Sequence, residues 1–107
     1  MSVTILGLKN CDTCRKARKA LPEAGFRDIR EEPLQPVEIA QLLALFGDRL
    51  INRASTTWRG LDDDTRGVSP EELLAAHPAL MKRPVILGDR GNHLGWSALT
   101  RTALGAD

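Results

Sequence analysis

The spacing of apolar and polar positions changes several times along the chain, and each change marks an element. Val3-Thr4-Ile5-Leu6 is a short apolar run with the character of a buried strand, and Gly7-Leu8-Lys9-Asn10 follows as a turn. Ala17, Ala20, Leu21 and Ala24 then recur at helical spacing, which predicts a helix from about Cys11 to a stop at Gly25. Phe26 to Ile29 make a second short strand. Two strands joined by one helix are most simply parallel, with a right-handed crossover. Pro36 opens another helix, with Ile39, Leu42, Leu43 and Phe46 as a core-facing stripe and Gly47 as its stop. The stretch from Leu50 to Asp64 is polar and irregular, with Trp58 as its anchor. Ser69-Pro70-Glu71-Glu72 signals a third helix: Ser69 caps it, Pro70 takes the first helical position, and Glu72 can close a capping box. Pro78 limits that helix at about His77. Val85-Ile86-Leu87 and His93-Leu94-Gly95-Trp96 flank a glycine-containing turn and predict a hairpin. Ser97 can cap a last helix that ends before Gly105. The order is βαβ, then helices, then ββα.

A chain of 107 residues makes one domain, residues 1–107, with room for a small sheet covered by helices. Its 42% hydrophobic and 27% charged content is that of an ordinary globular chain, and its net charge of +1 argues against nucleic-acid binding and membrane-surface binding. No apolar run is long enough to span a bilayer. Met1-Ser2-Val3-Thr4 lacks the basic start and apolar segment of a signal peptide, so the expected location is the cytoplasm. No long exposed apolar segment demands a partner, and a monomer is expected.

The chain has 2 cysteines, and they stand at Cys11-Asp12-Thr13-Cys14. That places Cys11 at or near the first turn of the predicted helix, where unpaired backbone N–H groups and the helix dipole favour thiolate over thiol. Lys9, Arg15 and Lys16 are close in sequence and act in the same direction. Cys14, three residues on, can attack a mixed disulfide formed at Cys11 or close a redox switch. In a reducing compartment this spacing points to redox chemistry. Cys11, Cys14, His77 and His93 include enough ligand types for zinc, but the spacing is not that of a zinc finger, and no metal is expected.

Three segments in this order resemble the arsenate reductase (ArsC/Spx/YffB-type) family of the thioredoxin-like superfamily. They are Lys9-Asn10-Cys11-Asp12-Thr13-Cys14-Arg15-Lys16-Ala17-Arg18, Ser55-Thr56-Thr57-Trp58-Arg59-Gly60-Leu61 and Lys82-Arg83-Pro84-Val85-Ile86. The resemblance implies an α/β thioredoxin-like fold: a four-stranded mixed sheet with a helical insertion at about 34–79. It implies Cys11 as nucleophile, and Arg83-Pro84 as an arginine beside a cis proline. Asn10, Thr13, Arg15, Arg53, Arg83 and Pro84 become the candidate substrate-binding residues. Arginine suits this role because its guanidinium presents two parallel donors to a carboxylate or oxyanion.

Arsenate reductases of this family hold the oxyanion with three arginines. Arg83 matches one. At the position of the second stands Ala54, with Arg53 one residue earlier, and Leu94-Gly95-Trp96-Ser97 contains no arginine at the third. The tail resembles the YffB-type branch, which implies a thiol substrate and glutathione as co-substrate. Cys14 resembles the Spx branch, which implies a redox switch that binds RNA polymerase. The sequence therefore suggests a glutathione-dependent thiol–disulfide oxidoreductase acting on a small-molecule thiol or oxyanion, with glutaredoxin or thioredoxin as candidate protein partners. Arsenate reduction proper and redox-sensing regulation are the alternatives.

Overall fold

The computed structural model describes residues 2–106; Met1 and Asp107, the ends of the expected 1–107 domain, lie outside the described residues. Four strands, β1 (Val3–Gly7), β2 (Gly25–Asp28), β3 (Val85–Gly88) and β4 (His93–Leu94), form one mixed sheet in the order β2-β1-β3-β4. β1 and β2 are parallel, joined through helix α1 (Asp12–Ala20), while β1–β3 and β3–β4 are antiparallel. This is the α/β thioredoxin-like sheet that the βαβ and ββα pattern predicts.

Alternation along β1 puts Val3 and Ile5 on one face. Ile5 lies opposite Ile86 of β3, and both are fully buried. Ala17 of α1, Leu21 just after it, and Leu104, which follows helix α6 (Ala98–Ala103), close over them. Phe26 and Trp96 pack at the edge of this cluster. The Arg18 guanidinium lies over the Phe26 ring, 4.1 Å from its centre, and links α1 to β2 through a cation–π contact.

Close packing divides the chain into two compact units. One joins the stretch up to Glu32 with the stretch from Arg83 onward and holds the sheet; the other is Pro33–Lys82. The second unit contains α2 (Pro36–Phe46), α3 (Thr56–Arg59), α4 (Asp63–Arg66) and α5 (Pro70–Ala76). Within it α2 packs on α5, with Ile39, Leu42, Leu73 and Leu74 buried. Gln35 and Glu38 form a reciprocal capping box at the start of α2.

Three local expectations differ from the structure. The first helix ends at Ala20 rather than near Gly25, because Leu21 precedes Pro22 and leaves the helical region (φ −122°, ψ 69°). Gly25 instead opens β2. Gly7 belongs to β1 and pairs with Asp28, so the turn begins one residue later. The segment expected to be irregular holds α3 and α4, each one turn long. Ser55 and Asp62 cap them by accepting from Trp58 N and Thr65 N. Trp58 is half-buried there, with the Arg53 and Arg66 guanidinium groups 5.0 and 5.5 Å from its ring. No helix among the described residues is long and apolar enough to cross a membrane.

Candidate active site

The site is built where β1 hands the chain to α1. Cys11 is the N-cap of α1, with an extended backbone (φ −98°, ψ 122°). Its carbonyl accepts from Arg15 N at 2.9 Å, and its own N–H donates to the Leu8 carbonyl at 3.2 Å. An N-cap side chain points back at amides that the helix leaves unpaired. Here the Cys11 sulfur faces the Cys14 N–H, the Cys14 thiol and the Arg83 guanidinium. Both cysteines are free thiols, Cys11 half-exposed and Cys14 fully buried.

These surroundings separate the two sulfurs electrically. Burial alone raises the Cys11 pKa. The Cys14 backbone N–H, the Cys14 thiol and the Arg83 guanidinium together outweigh burial and hold Cys11 below its ordinary value. Cys14 is pushed up to about 11, chiefly by burial, with the hydrogen bond and charge of Cys11 adding to the rise. Of the two sulfurs, Cys11 is therefore the one that ionises more readily, and Cys14 is the one held as a thiol.

Gly7 makes the space for Cys14. A Cβ at Gly7 would collide with the Cys14 sulfur and come within 3.3 Å of its Cβ. Opposite Gly7 in the parallel register stands Asp28, a buried carboxylate. Asp28 Oδ2 accepts from Lys9 N at 2.9 Å, while Oδ1 accepts from Arg30 N at 2.8 Å and Glu31 N at 3.2 Å. The Lys9 ammonium reaches Glu31 at 2.8 Å on the surface above. Burial raises the Asp28 pKa, but the three amides and the Lys9 charge overcome it and hold the carboxyl below its ordinary range.

Of the residues expected in the site, Asn10, Cys11, Thr13, Cys14, Arg15, Arg83 and Pro84 all belong to the sheet unit. Asn10 is exposed in the turn before Cys11, and Thr13 is half-buried on the first turn of α1. Arg15 is exposed and ion-paired with Asp12. The Arg83–Pro84 peptide is cis and leads directly into β3, with the Pro84 carbonyl accepting from Gly95 N at 2.8 Å. Arg53 belongs to the other unit, where Asp48 grips its guanidinium through two hydrogen bonds of 2.8 and 2.9 Å. His93 Nε2 makes a hydrogen bond with the Arg90 carbonyl. Among the described residues, no group of three or more His, Cys, Asp or Glu side chains could hold a metal ion.

Gly7 and Asp28 are residues of the site that the sequence pattern does not single out. An Asp that binds the amides two and three residues ahead leaves an Asx-turn signal in Asp28-Ile29-Arg30-Glu31. Its bond to Lys9, nineteen positions earlier, leaves none.

Residues 6–100 match the ArsC family. The chain belongs to the ArsC family. The solved structure named YFFB superposes with a TM-score of 0.83 at 31% identity, covering 94% of this chain and 96% of that one. An arsenate reductase (ArsC) related protein from Brucella melitensis superposes with a TM-score of 0.76 at 38% identity, covering 96% and 93%. The global transcriptional regulator Spx of Listeria innocua is 30% identical over 105 residues, 89% of this chain and 80% of its own length.

Proposed function

We propose that this ArsC-family chain is a glutathione-dependent thiol–disulfide oxidoreductase, with Cys11 as nucleophile and Cys14 as resolving cysteine. The observation that carries the reading is the half-exposed Cys11 sulfur at the N-cap of α1, beside Arg83 and the Cys14 N–H, with its pKa lowered. A thiolate that is both stabilised and reachable is the reactive form of cysteine.

The Cys11 thiolate attacks one sulfur of a substrate disulfide; an S–S bond forms to Cys11 and the other substrate sulfur leaves as thiolate. The Cys11 charge, which had been raising the Cys14 pKa, is then gone, and Cys14 gives up its proton more readily. Cys14 attacks the Cys11 sulfur, the second substrate half leaves as thiolate, and a Cys11–Cys14 disulfide remains. Two glutathione molecules return it to the dithiol and leave as oxidised glutathione. Arg83 supports the reading a second way, because its guanidinium can also pair with a carboxylate of the co-substrate. Glutaredoxin or thioredoxin could take the place of glutathione in the last step.

The test mixes Cys14→Ser protein with oxidised glutathione at neutral pH and follows intact mass. The expected result is rapid addition of one glutathione, abolished by Cys11→Ser. No addition would overturn the reading. The match to the Listeria innocua regulator favours a second reading: a redox switch at Cys11 and Cys14 without turnover. Stoichiometric binding of this chain to the RNA polymerase α subunit, sensitive to peroxide, would select it.

A further inference from the structure

We propose that Asp28 is a positioning residue for the reactive thiol: its carboxylate holds the loop that carries Cys11 by binding the Lys9 amide. The inference rests on the nucleophilic role of Cys11 and adds a residue two strands' ends away that never touches the sulfur.

The geometry is specific. Asp28 is the last residue of β2, so the sheet fixes its backbone through pairing with Gly7. Ile29 N donates to the Gly7 carbonyl at 3.0 Å and continues that registration past the strand end. From this base the carboxylate reaches across to Lys9 N, in the middle of the turn between β1 and α1. Leu8 is buried and fixes the start of this turn, but Lys9 and Asn10 are exposed, so burial does little to hold its second half. Besides the Asp28 bond, the turn is tied by the Cys11 N to Leu8 O bond and the Leu8 backbone against the Cys14 sulfur, both at its ends, and by the surface pair of Lys9 with Glu31. Surface ion pairs contribute little, whereas a charge-assisted bond to a buried carboxylate is short and strong.

The chemistry also requires an aspartate. Three amides converge on two oxygens, and an ionised carboxylate accepts at both. Asparagine has the same shape but one donor end. Its NH2 group must face either the Lys9 N–H or the Arg30 and Glu31 N–H groups, donor against donor. The local Asx turn can keep the oxygen, so the Lys9 contact is the one lost. The Cys11 sulfur then loses its fixed approach to the Cys14 N–H and Arg83, and its thiolate loses stabilisation while the fold persists.

The experiment measures the Cys11 thiolate by ultraviolet absorbance against pH, and its alkylation rate by mass spectrometry, all in a Cys14→Ser background. Asp28→Asn is compared with the unsubstituted background and with Asp62→Ala, which removes a helix cap in the other unit. Asp28→Asn is expected to raise the apparent Cys11 pKa by about one unit and to slow alkylation about 10-fold at a pH below that pKa. Asp62→Ala is expected to change melting temperature only. A melting-temperature loss in Asp28→Asn with an unchanged Cys11 titration would overturn the proposal and leave Asp28 as a structural residue. If the background protein itself shows an ordinary, unactivated Cys11, the oxidoreductase reading fails first, and that result is separate. Should Asp28→Asn not fold, amide exchange at Lys9 in the unsubstituted chain decides. Protection of 100-fold or more, of the order hydrogen-bonded amides show, supports the anchor, and exchange at the free-loop rate overturns it.

Discussion

At the scale of single residues, the two cysteines sit in contrasting surroundings. Cys11 sits at a helix N-cap with Arg83 beside it, and Cys14 is buried one turn further on. Iodoacetamide at neutral pH should therefore modify one thiol, Cys11, in folded protein, with Cys14 reacting only on unfolding; peptide mapping reads this directly. Arg83→Ala removes a guanidinium that lowers the Cys11 pKa. It should slow Cys11 alkylation at pH 6 by about 10-fold, the equivalent of one pKa unit, while alkylation well above the thiol pKa changes little. The sign of the stability dependence differs between the two thiols. Cys11, lowered in the folded state, adds stability that is present above the unfolded thiol pKa and is lost as pH falls through its folded value. Cys14, raised to about 11, leaves the fold most stable below the unfolded thiol pKa and withdraws stability as pH rises toward 11. Urea titrations of Cys14→Ser and the unsubstituted chain should thus diverge in slope on the alkaline side, with the serine variant flatter. Arg53 shows the limit of reading single residues: its guanidinium is already held by Asp48, so a role toward substrate would require that pair to open.

At the scale of elements, the junction between β1 and α1 is a fitted joint. Gly7 has no side chain because the Cys14 sulfur occupies that space. Gly7→Ala should destabilise by about 1–3 kcal/mol, as overpacking of a well-filled interior does. The same substitution in a Cys14→Ala background should cost about 1 kcal/mol less, because the colliding sulfur is gone. A double-mutant cycle in urea checks the coupling, and additive losses would mean that the glycine serves the strand alone. Helix caps behave more independently. Ser69 Oγ accepts from Glu72 N at the start of α5, and Ser69→Ala should cost about 1 kcal/mol with no effect on Cys11 reactivity. The capping signals of α5 were readable because Ser-Pro-Glu-Glu is a dense local motif. Those of α3 and α4 were passed over because one-turn helices have no periodic apolar face to announce them.

At the scale of the whole molecule, a small sheet carries the reactive end of α1. Ile5 and Ile86 are paired in register, fully buried, and covered by Ala17 and Leu21. Ile86→Ala should cost about 2–5 kcal/mol in chemical denaturation, the range for a large-to-small change in a sealed core. Its effect on Cys11 should follow the fraction unfolded rather than a changed thiol pKa.

The parallel β1–β2 pair with its crossover helix, and the cysteine pair at the strand-to-helix junction, are legible in the amino-acid pattern alone. Period-two and period-3.6 patterns are local, and Cys-x-x-Cys at a strand-to-helix junction names its own chemistry through the helix end. The three segments that mark the family are legible there too, whereas that the Arg83–Pro84 peptide is cis is seen only in the structure. What surrounds the two sulfurs is visible only in the folded chain. Arg83 is seventy-two positions from Cys11, Asp28 is nineteen from Lys9, and Gly7 meets Cys14 only because α1 folds back over β1. The first two contacts join residues distant along the chain, and the third depends on how helix and strand pack, so no local spacing encodes them. The physical reason is that a pKa or a loop position is set by the field and the hydrogen bonds around it, and these exist only once the sheet has brought its strand ends together.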